Sequence, residues 1–180
     1  MQSIGIFCAA SNAIDASYFR AAEEVGYWIG ASGRRLVYGG ASLGLMEAVA
    51  TATREAGGPV LGVVPTKLVE RNIVSSQPTD IIHCHDLSDR KDIMLRESDL
   101  IVALPGGIGT VDEVFHVMGG ATIGYHRKRV VLYDVDGYWA PLLALLADMQ
   151  QRGFIRRPLS DFVVSVSSTA ELEALCHDEK

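Results

Sequence analysis

The residues best suited by type and spacing to do chemistry lie in a glycine-rich segment. It runs from Leu104 to Thr110 as Leu-Pro-Gly-Gly-Ile-Gly-Thr, and Glu113 follows shortly afterwards. Glycine lets the backbone approach a ligand closely, and unpaired N–H groups at the start of a helix bind phosphate. The segment therefore predicts an anion site that has a hydroxyl and a carboxylate beside it.

The same residues also allow a purely structural interpretation. Thr110-Val111-Asp112-Glu113 fits a capping box, in which Glu113 accepts from the backbone N–H of Thr110. A helix that starts near Val111 would place Glu113 in its first turn, where the helix dipole favours the ionised form that catalysis needs. Both interpretations stay open on these residues alone.

Two other loops deserve comparison, Ala9–Asn12 and the glycine-rich Tyr38–Gly44, whose glycines also suit a tight turn. Neither loop, nor Leu104–Thr110, is followed by the Gly-Lys-Ser/Thr of an ATP-binding P-loop. None has the glycine spacing of a dinucleotide site, and no acidic residue ends the second strand. ATP hydrolysis and NAD-dependent redox chemistry are therefore disfavoured.

A charged helix precedes this glycine-rich segment, and helical spacing places Arg90 and Met94 on one of its faces. The alternative for this helix is a solvated charged surface. Metal-ligand spacing is missing from His83, His85 and His116 and from the three cysteines, Cys8, Cys84 and Cys176. The sequence therefore predicts no metal site, and thiols that stay reduced in a cytosol.

Strand-length apolar runs alternate with helical patterns along the whole chain. The predicted strands are Ile4–Cys8, Arg35–Tyr38, Val60–Val64, Asp80–Cys84, Leu100–Leu104, Val130–Tyr133 and Phe162–Val166. The predicted helices are Ala16–Ser32, Gly44–Ala56, Ser88–Glu97, Val111–Gly120, Trp139–Arg152 and one from Thr169, with an irregular stretch between Pro65 and Pro78. This alternation predicts one α/β domain over residues 1–180: a Rossmann-like, doubly wound, mainly parallel sheet with helices on both faces.

Composition excludes several partners. The chain has 180 residues, of which 48% are hydrophobic and 21% charged, and its formal net charge is -6. A net-acidic protein repels nucleic acid and anionic membranes, so an anionic ligand needs a local site. No apolar run approaches the roughly 20 residues of a membrane span, and the N-terminus lacks a basic leader. We expect a soluble, cytoplasmic protein.

Residues Pro105–Glu113 resemble the PGGxGTxxE signature of the LOG family of cytokinin-activating proteins, formerly labelled lysine decarboxylases. Further family segments follow in the expected order, namely Tyr38–Gly40, Gly44–Met46, Gly62–Pro65, Arg90-Lys91, Ser98-Asp99 and Asp136–Tyr138. The resemblance implies a homodimer that needs no cofactor. It also implies hydrolysis of purine nucleoside 5′-monophosphates, either AMP or cytokinin riboside 5′-monophosphates, to free base and ribose 5-phosphate.

The resemblance also implies the site residues. Arg90 and Glu113 correspond to the catalytic pair. The substrate contacts correspond to Lys91, Met94, Gly106, Gly107, Ile108, Gly109 and Thr110. These roles suit the reaction, because breaking an N-glycosidic bond develops positive charge on the ribose, which a carboxylate stabilises. An arginine fork binds phosphate or ribose hydroxyls.

The chain departs from the family pattern where the base would be recognised. The departures are Leu87-Ser88-Asp89, Asn72, Gly119–Thr122 and Ala9. Two other classes of function stay open. One is a nucleotide- or molybdenum-cofactor-binding protein of the same fold without turnover. The other is a pyridoxal phosphate decarboxylase, for which Lys67, Lys91 and Lys128 lack the sequence context of a Schiff-base lysine.

Overall fold

Runs rich in Val, Ile and Leu form strands, and the amphipathic segments between them form helices. The computed structural model describes residues 2–178. The strands are β1 Ser3–Phe7, β2 Arg35–Tyr38, β3 Val60–Pro65, β4 Asp80–Cys84, β5 Leu100–Ala103, β6 Val130–Tyr133 and β7 Val163–Val166. The helices are α1 Ala16–Ala31, α2 Gly44–Glu55, α3 Thr66–Glu70, α4 Leu87–Glu97, α5 Ile108–Thr122, α6 Ala140–Gln151 and α7 Thr169–Asp178. None of the helices within residues 2–178 has both the length and the apolar character to cross a membrane.

All seven strands are parallel and form one sheet in the order β4-β3-β2-β1-β5-β6-β7. The central strands β1, β5 and β6 are buried throughout, as expected when helices cover both faces. The predicted Rossmann-like α/β fold is confirmed. Strand order reverses between β1 and β5, and such a reversal opens a crevice beyond the carboxyl ends of the two strands.

Two apolar layers hold the sheet between its helices. Val25, Leu45 and Leu172 lie in the layer that α1, α2 and α7 pack on one face. Met94 and Val117 lie in the opposite layer, under α4 and α5. All five side chains are fully buried. The loops at the carboxyl edge therefore rest on a framework that is rigid on both faces.

The start of α5 differs from the prediction and settles one of the two interpretations of the glycine-rich segment. The helix begins at Ile108 rather than near Val111, and its N-cap is Gly107, which makes no side-chain capping bond. The capping-box interpretation is therefore wrong, because Thr110 lies within the helix. Glu113 lies beyond the first turn, so the helix dipole is not what controls its ionisation. A second difference is the short helix α3, in a stretch predicted to be irregular.

Candidate active site

A cavity of about 330 Å³ opens where the strand order reverses. Its lining comes from the end of β1 and the loop that follows, from α2, from α4 and from the start of α5. The lining residues are Ile6–Ser11, Met46, Arg90, Gly107, Gly109, Thr110 and Glu113. The structure thus brings the first and third predicted loops together with the predicted Arg–Glu pair. The cavity wall contributed by β1 and Met46 was not predicted.

The loop after β1 is held in place by its neighbours. The Ala9 N–H donates to the Pro105 carbonyl at 3.1 Å, and the Ala9 carbonyl accepts from the Leu45 N–H at 2.9 Å. The Asn12 side chain accepts from the Gly44 N–H at 2.9 Å. Gly44 has a φ of +53°, and a Cβ at this position would collide with the backbone of that loop. Two predicted loops therefore brace each other beside the cavity.

The first turn of α5 supplies backbone donors to the cavity. Val111 is the first residue whose N–H bonds within this segment, to the Gly107 carbonyl at 3.0 Å. The preceding N–H groups, those of Ile108, Gly109 and Thr110, have no intrahelical acceptor. Gly109 and Thr110 line the cavity, whereas Ile108 is 91% exposed and does not. Unpaired N–H groups at a helix start favour an anion.

Arg90 and Glu113 face each other inside the cavity. Arg90 Nη2 lies 3.4 Å from Glu113 Oε1, and the two side chains are only 12% and 13% exposed. Gly39 makes room for the guanidinium, because a Cβ at that position would overlap Arg90 Nη2. The Arg90 Nε is buried and has no hydrogen-bond partner among residues 2–178. The pair therefore keeps unused donor capacity next to the cavity.

Burial controls the protonation of this site. It raises the pKa of Glu113 to about 7, although the positive charges of Arg90 and Lys91 act in the opposite direction. The neighbouring Asp112 carboxylate raises the same pKa further. Near neutral pH, Glu113 therefore holds its proton only part of the time. Burial and the Glu113 charge also raise the pKa of the Cys8 thiol, so this cavity-lining cysteine is a neutral thiol and not a reactive thiolate.

The other two predicted contacts on α4 lie apart from the cavity lining. Lys91 Nζ lies 2.8 Å from Asp112 Oδ2 and ties α4 to α5. Met94 is fully buried in the apolar layer beneath α4. Neither side chain lines the cavity. Helical spacing placed Arg90 and Met94 on one face of the helix, but in the structure Arg90 lines the cavity while Met94 lies in the core.

Together these features define a doubly wound α/β protein whose candidate site occupies the topological switch point. The family model described as "Possible lysine decarboxylase" matches residues 46–176. Cytokinin riboside 5′-monophosphate phosphoribohydrolase LOG5 of Arabidopsis thaliana is 38% identical over 93% of this chain and 73% of its own. LOG3 of the same plant is 35% identical over 97% of this chain and 84% of its own. This chain belongs to the LOG family.

Solved structures with the same fold include a molybdenum cofactor binding protein from Rippkaea orientalis. It has a TM-score of 0.76 and 24% identity, and the match covers 98% of this chain and 96% of that one. The Moco carrier protein from Chlamydomonas reinhardtii gives a TM-score of 0.72 at 25% identity, with the same coverage. These likenesses support the fold described above.

Proposed function

We propose that this protein is a single-domain N-glycosyl hydrolase of purine nucleoside 5′-monophosphates. Its substrates on this proposal are AMP, cytokinin riboside 5′-monophosphates or both, and its products are the free base and ribose 5-phosphate. The observation that carries the proposal is the buried Arg90–Glu113 pair, which faces the same cavity as the unpaired N–H groups of α5. The names of the relatives at 35–38% identity support it.

The phosphate has a natural place in this cavity. The donors that we assign to the 5′-phosphate are the Thr110 hydroxyl and the N–H groups of residues 108–110, of which Gly109 and Thr110 line the cavity. The chain is net acidic, so a dianion binds only where such local donors outweigh the general repulsion. We assign Lys91 to the rim, where its positive charge attracts the phosphate. Met94 contributes on this proposal from the apolar layer beneath α4, where it supports the helix that carries Arg90.

Glu113 then acts on the ribose. As the bond between C1′ and the base breaks, the bonding electron pair leaves with the base and the ribose becomes positively charged. The ionised Glu113 stabilises that charge and orients the water that attacks C1′. One proton of the water is transferred to the departing base or to solvent, and its oxygen stays on C1′. Arg90 keeps part of Glu113 ionised near neutral pH, and it lines the cavity, where we assign its guanidinium to the ribose or phosphate.

Base release measured by chromatography tests the proposal. We expect AMP or isopentenyladenosine monophosphate to yield free base, and adenosine to have a kcat/KM about a hundredfold lower. That factor corresponds to the loss of two hydrogen bonds to a charged phosphate, at about 1.5 kcal/mol each. Other nucleoside monophosphates serve as specificity controls. A ratio between AMP and adenosine below about ten would place the phosphate elsewhere.

Two other functions are separated by the same measurement. A binding protein like the molybdenum cofactor proteins of this fold would hold a nucleotide but release no base, so intact AMP bound to folded protein would favour it. The decarboxylase name of the family model lacks support at the cavity, because the lysines that the structure describes, Lys67, Lys91 and Lys128, do not line it. The retained Arg90–Glu113 pair favours the hydrolase.

We also propose a homodimer in the cytoplasm. Ile108, Phe115 and Gly119 follow one another on the outer side of α5, and Ile123 and Tyr125 continue beyond it, all of them exposed. An exposed apolar surface of this kind suits association with a second copy. Sedimentation velocity tests the proposal, and a Phe115→Glu variant that sediments like the wild-type protein would show that this surface is not the interface.

A further inference from the structure

A tight turn after β6 holds Tyr138 against the glycine-rich segment. The Asp134 carboxylate accepts from the Trp139 N–H at 2.8 Å and from the Gly137 N–H at 3.1 Å. Asp136 and Gly137 both adopt left-handed backbone, with φ values of +53° and +76°. Such a conformation is uncommon for a residue other than glycine, and the carboxylate bonds hold it in place. The turn fixes the direction in which Tyr138 projects.

Aromatic neighbours fix the Tyr138 ring as well. It packs edge to face on Trp139, with centroids 5.1 Å apart, and on Tyr18, with centroids 5.7 Å apart. With its ring held from two sides, Tyr138 donates its hydroxyl hydrogen to the Gly106 carbonyl at 2.8 Å. This bond joins a segment after β6 to the loop after β5.

The bond determines where the next N–H points. In a planar trans peptide the C=O and the N–H point in opposite directions. The Gly106 carbonyl points toward Tyr138, which together with Gly106 lines a small apolar pocket on one side of the loop. The N–H of the same peptide belongs to Gly107 and points away from Tyr138. Gly107 lines both the small pocket and the catalytic cavity, whereas Tyr138 does not line the cavity, so this N–H is the group that the peptide can present to the cavity. No hydrogen bond formed by residues 2–178 uses the Gly107 N–H.

A peptide between two glycines is easily reversed, because neither residue has a Cβ to restrict the backbone. At Gly107 a Cβ would meet no atom within 4 Å, so packing does not hold the residue either. In the reversed orientation the Gly106 carbonyl oxygen would face the cavity and repel an anion. A hydrogen bond to that carbonyl from the opposite side therefore selects the orientation that presents a donor.

We propose that the Tyr138 hydroxyl is a positioning group that locks the Gly106–Gly107 peptide so that the Gly107 N–H faces a phosphate in the catalytic cavity. The proposed function supplies the source of that phosphate, the 5′-phosphate of a nucleotide. The lock itself is a property of the loop. It adds a fourth backbone donor to the three at the start of α5.

The test compares Tyr138→Phe with Tyr18→Phe in the full chain. The first variant removes the hydroxyl and keeps the ring. The second removes the hydroxyl of the neighbouring Tyr18 ring. That hydroxyl forms no hydrogen bond within residues 2–178. We expect Tyr138→Phe to bind inorganic phosphate, ribose 5-phosphate and AMP about 3- to 10-fold more weakly in calorimetric titrations, the range of one neutral hydrogen bond. Tyr18→Phe should bind all three like the wild-type protein.

Adenosine distinguishes positioning from general destabilisation. Since adenosine carries no phosphate, its affinity should be the same in Tyr138→Phe and in the wild-type protein. An equal loss for AMP and adenosine, or unchanged phosphate affinity in Tyr138→Phe, would overturn the lock. If the wild-type protein binds phosphate but releases no base from AMP, the proposed hydrolase activity is contradicted and the proposed role of Tyr138 is not. In that case the weaker phosphate binding of Tyr138→Phe would still support the lock.

Discussion

Two of the Arg–Glu pairs in the molecule, Arg34–Glu173 and Arg90–Glu113, are built in opposite ways. In the first, the Arg34 guanidinium donates two hydrogen bonds to the Glu173 carboxylate, with N–O distances of 2.8 and 2.9 Å. The Trp28 indole donates to the same carboxylate at 2.9 Å, and the His177 ring lies 2.9 Å from it. The Arg34 guanidinium also stacks on Trp28 at 5.0 Å. This pair joins α1 and the segment before β2 to α7.

The second pair, Arg90 and Glu113, has a single contact at 3.4 Å and an unpaired Arg90 Nε. The two environments shift the pKa values of their carboxyl groups in opposite directions. Hydrogen bonds from Arg34 lower the pKa of Glu173 to about 2, whereas burial raises the pKa of Glu113 to about 7. The chain itself completes the first pair. It leaves the second one short of partners next to a cavity, which is what a group that must bind ligand requires.

The largest expected difference between the pairs is in turnover. Glu113→Gln should lower kcat about 100- to 1,000-fold, the scale of one lost electrostatic contact to a transition state. Arg90→Ala should lower it by at least about a hundredfold. Glu173→Gln, the matched change in the other pair, should leave kcat within about twofold, since it is remote from the cavity. Near-normal kcat in a folded Glu113→Gln variant would give Glu113 a structural role.

The variants Glu113→Gln and Glu173→Gln should change the free energy of unfolding in opposite directions. The pKa of Glu113 is raised from its usual 4.5 to about 7, so the folded protein binds this proton more tightly than the unfolded chain and loses stability as pH rises across that interval. Glu113→Gln should therefore increase the free energy of unfolding by about 2–3 kcal/mol at pH 8 and change it little at pH 5. Urea titrations at both pH values measure this difference.

Glu173 provides the reverse case. Its pKa is lowered from the usual 4.5 to about 2, so its stabilising effect is present above pH 4.5 and disappears as pH falls toward 2. Glu173→Gln should cost about 1 kcal/mol at pH 7, because the site is partly exposed and solvent screens it. If both variants lose stability at pH 8, the contrast between a completed and an incomplete pair does not hold.

A smaller effect than the loss of turnover is expected on the pH dependence of catalysis. If the ionised Glu113 is the active form, kcat/KM should rise about tenfold from pH 6 to pH 8 and level off above the pKa of about 7. Lys91→Met should shift this rise to higher pH, because the Lys91 charge favours the ionised form. A profile that falls over the same interval would assign Glu113 the role of a proton donor.

Local patterns in the sequence predicted the framework well. Strand β2, from Arg35 to Tyr38, and strand β4, from Asp80 to Cys84, have the predicted bounds. The signals that predict such a strand, a short apolar run and the turn residues on either side of it, are local in the sequence. The error at the start of α5 arose because Thr110 and Glu113 have capping-box spacing. Gly107 instead takes an extended conformation and caps the helix earlier, which turns Thr110 inward, where it is 3% exposed.

Contacts between distant parts of the chain were beyond sequence reasoning. Arg34 and Glu173 are separated by 139 positions, and no periodicity relates them. The Tyr138–Gly106 bond crosses between two loops, although both lie in segments that the family resemblance had singled out. The raised pKa of Glu113 depends on how deeply the cavity wall buries it. Such facts arise from packing, and only the arrangement of the strands brings the groups together.

The position of β5 beside β1 also sets when the site can form during synthesis. Strands β1 to β4 pair in the order in which they leave the ribosome, each beside the one before it. Strand β5 must return past three strands to pair with β1, with Ile4 opposite Leu100. The loop after β1 therefore supplies only one side of the cavity until α5 has emerged. Long-range pairing of this kind is slow, and the cavity can close only after Glu113, the last of its lining residues along the chain, has emerged.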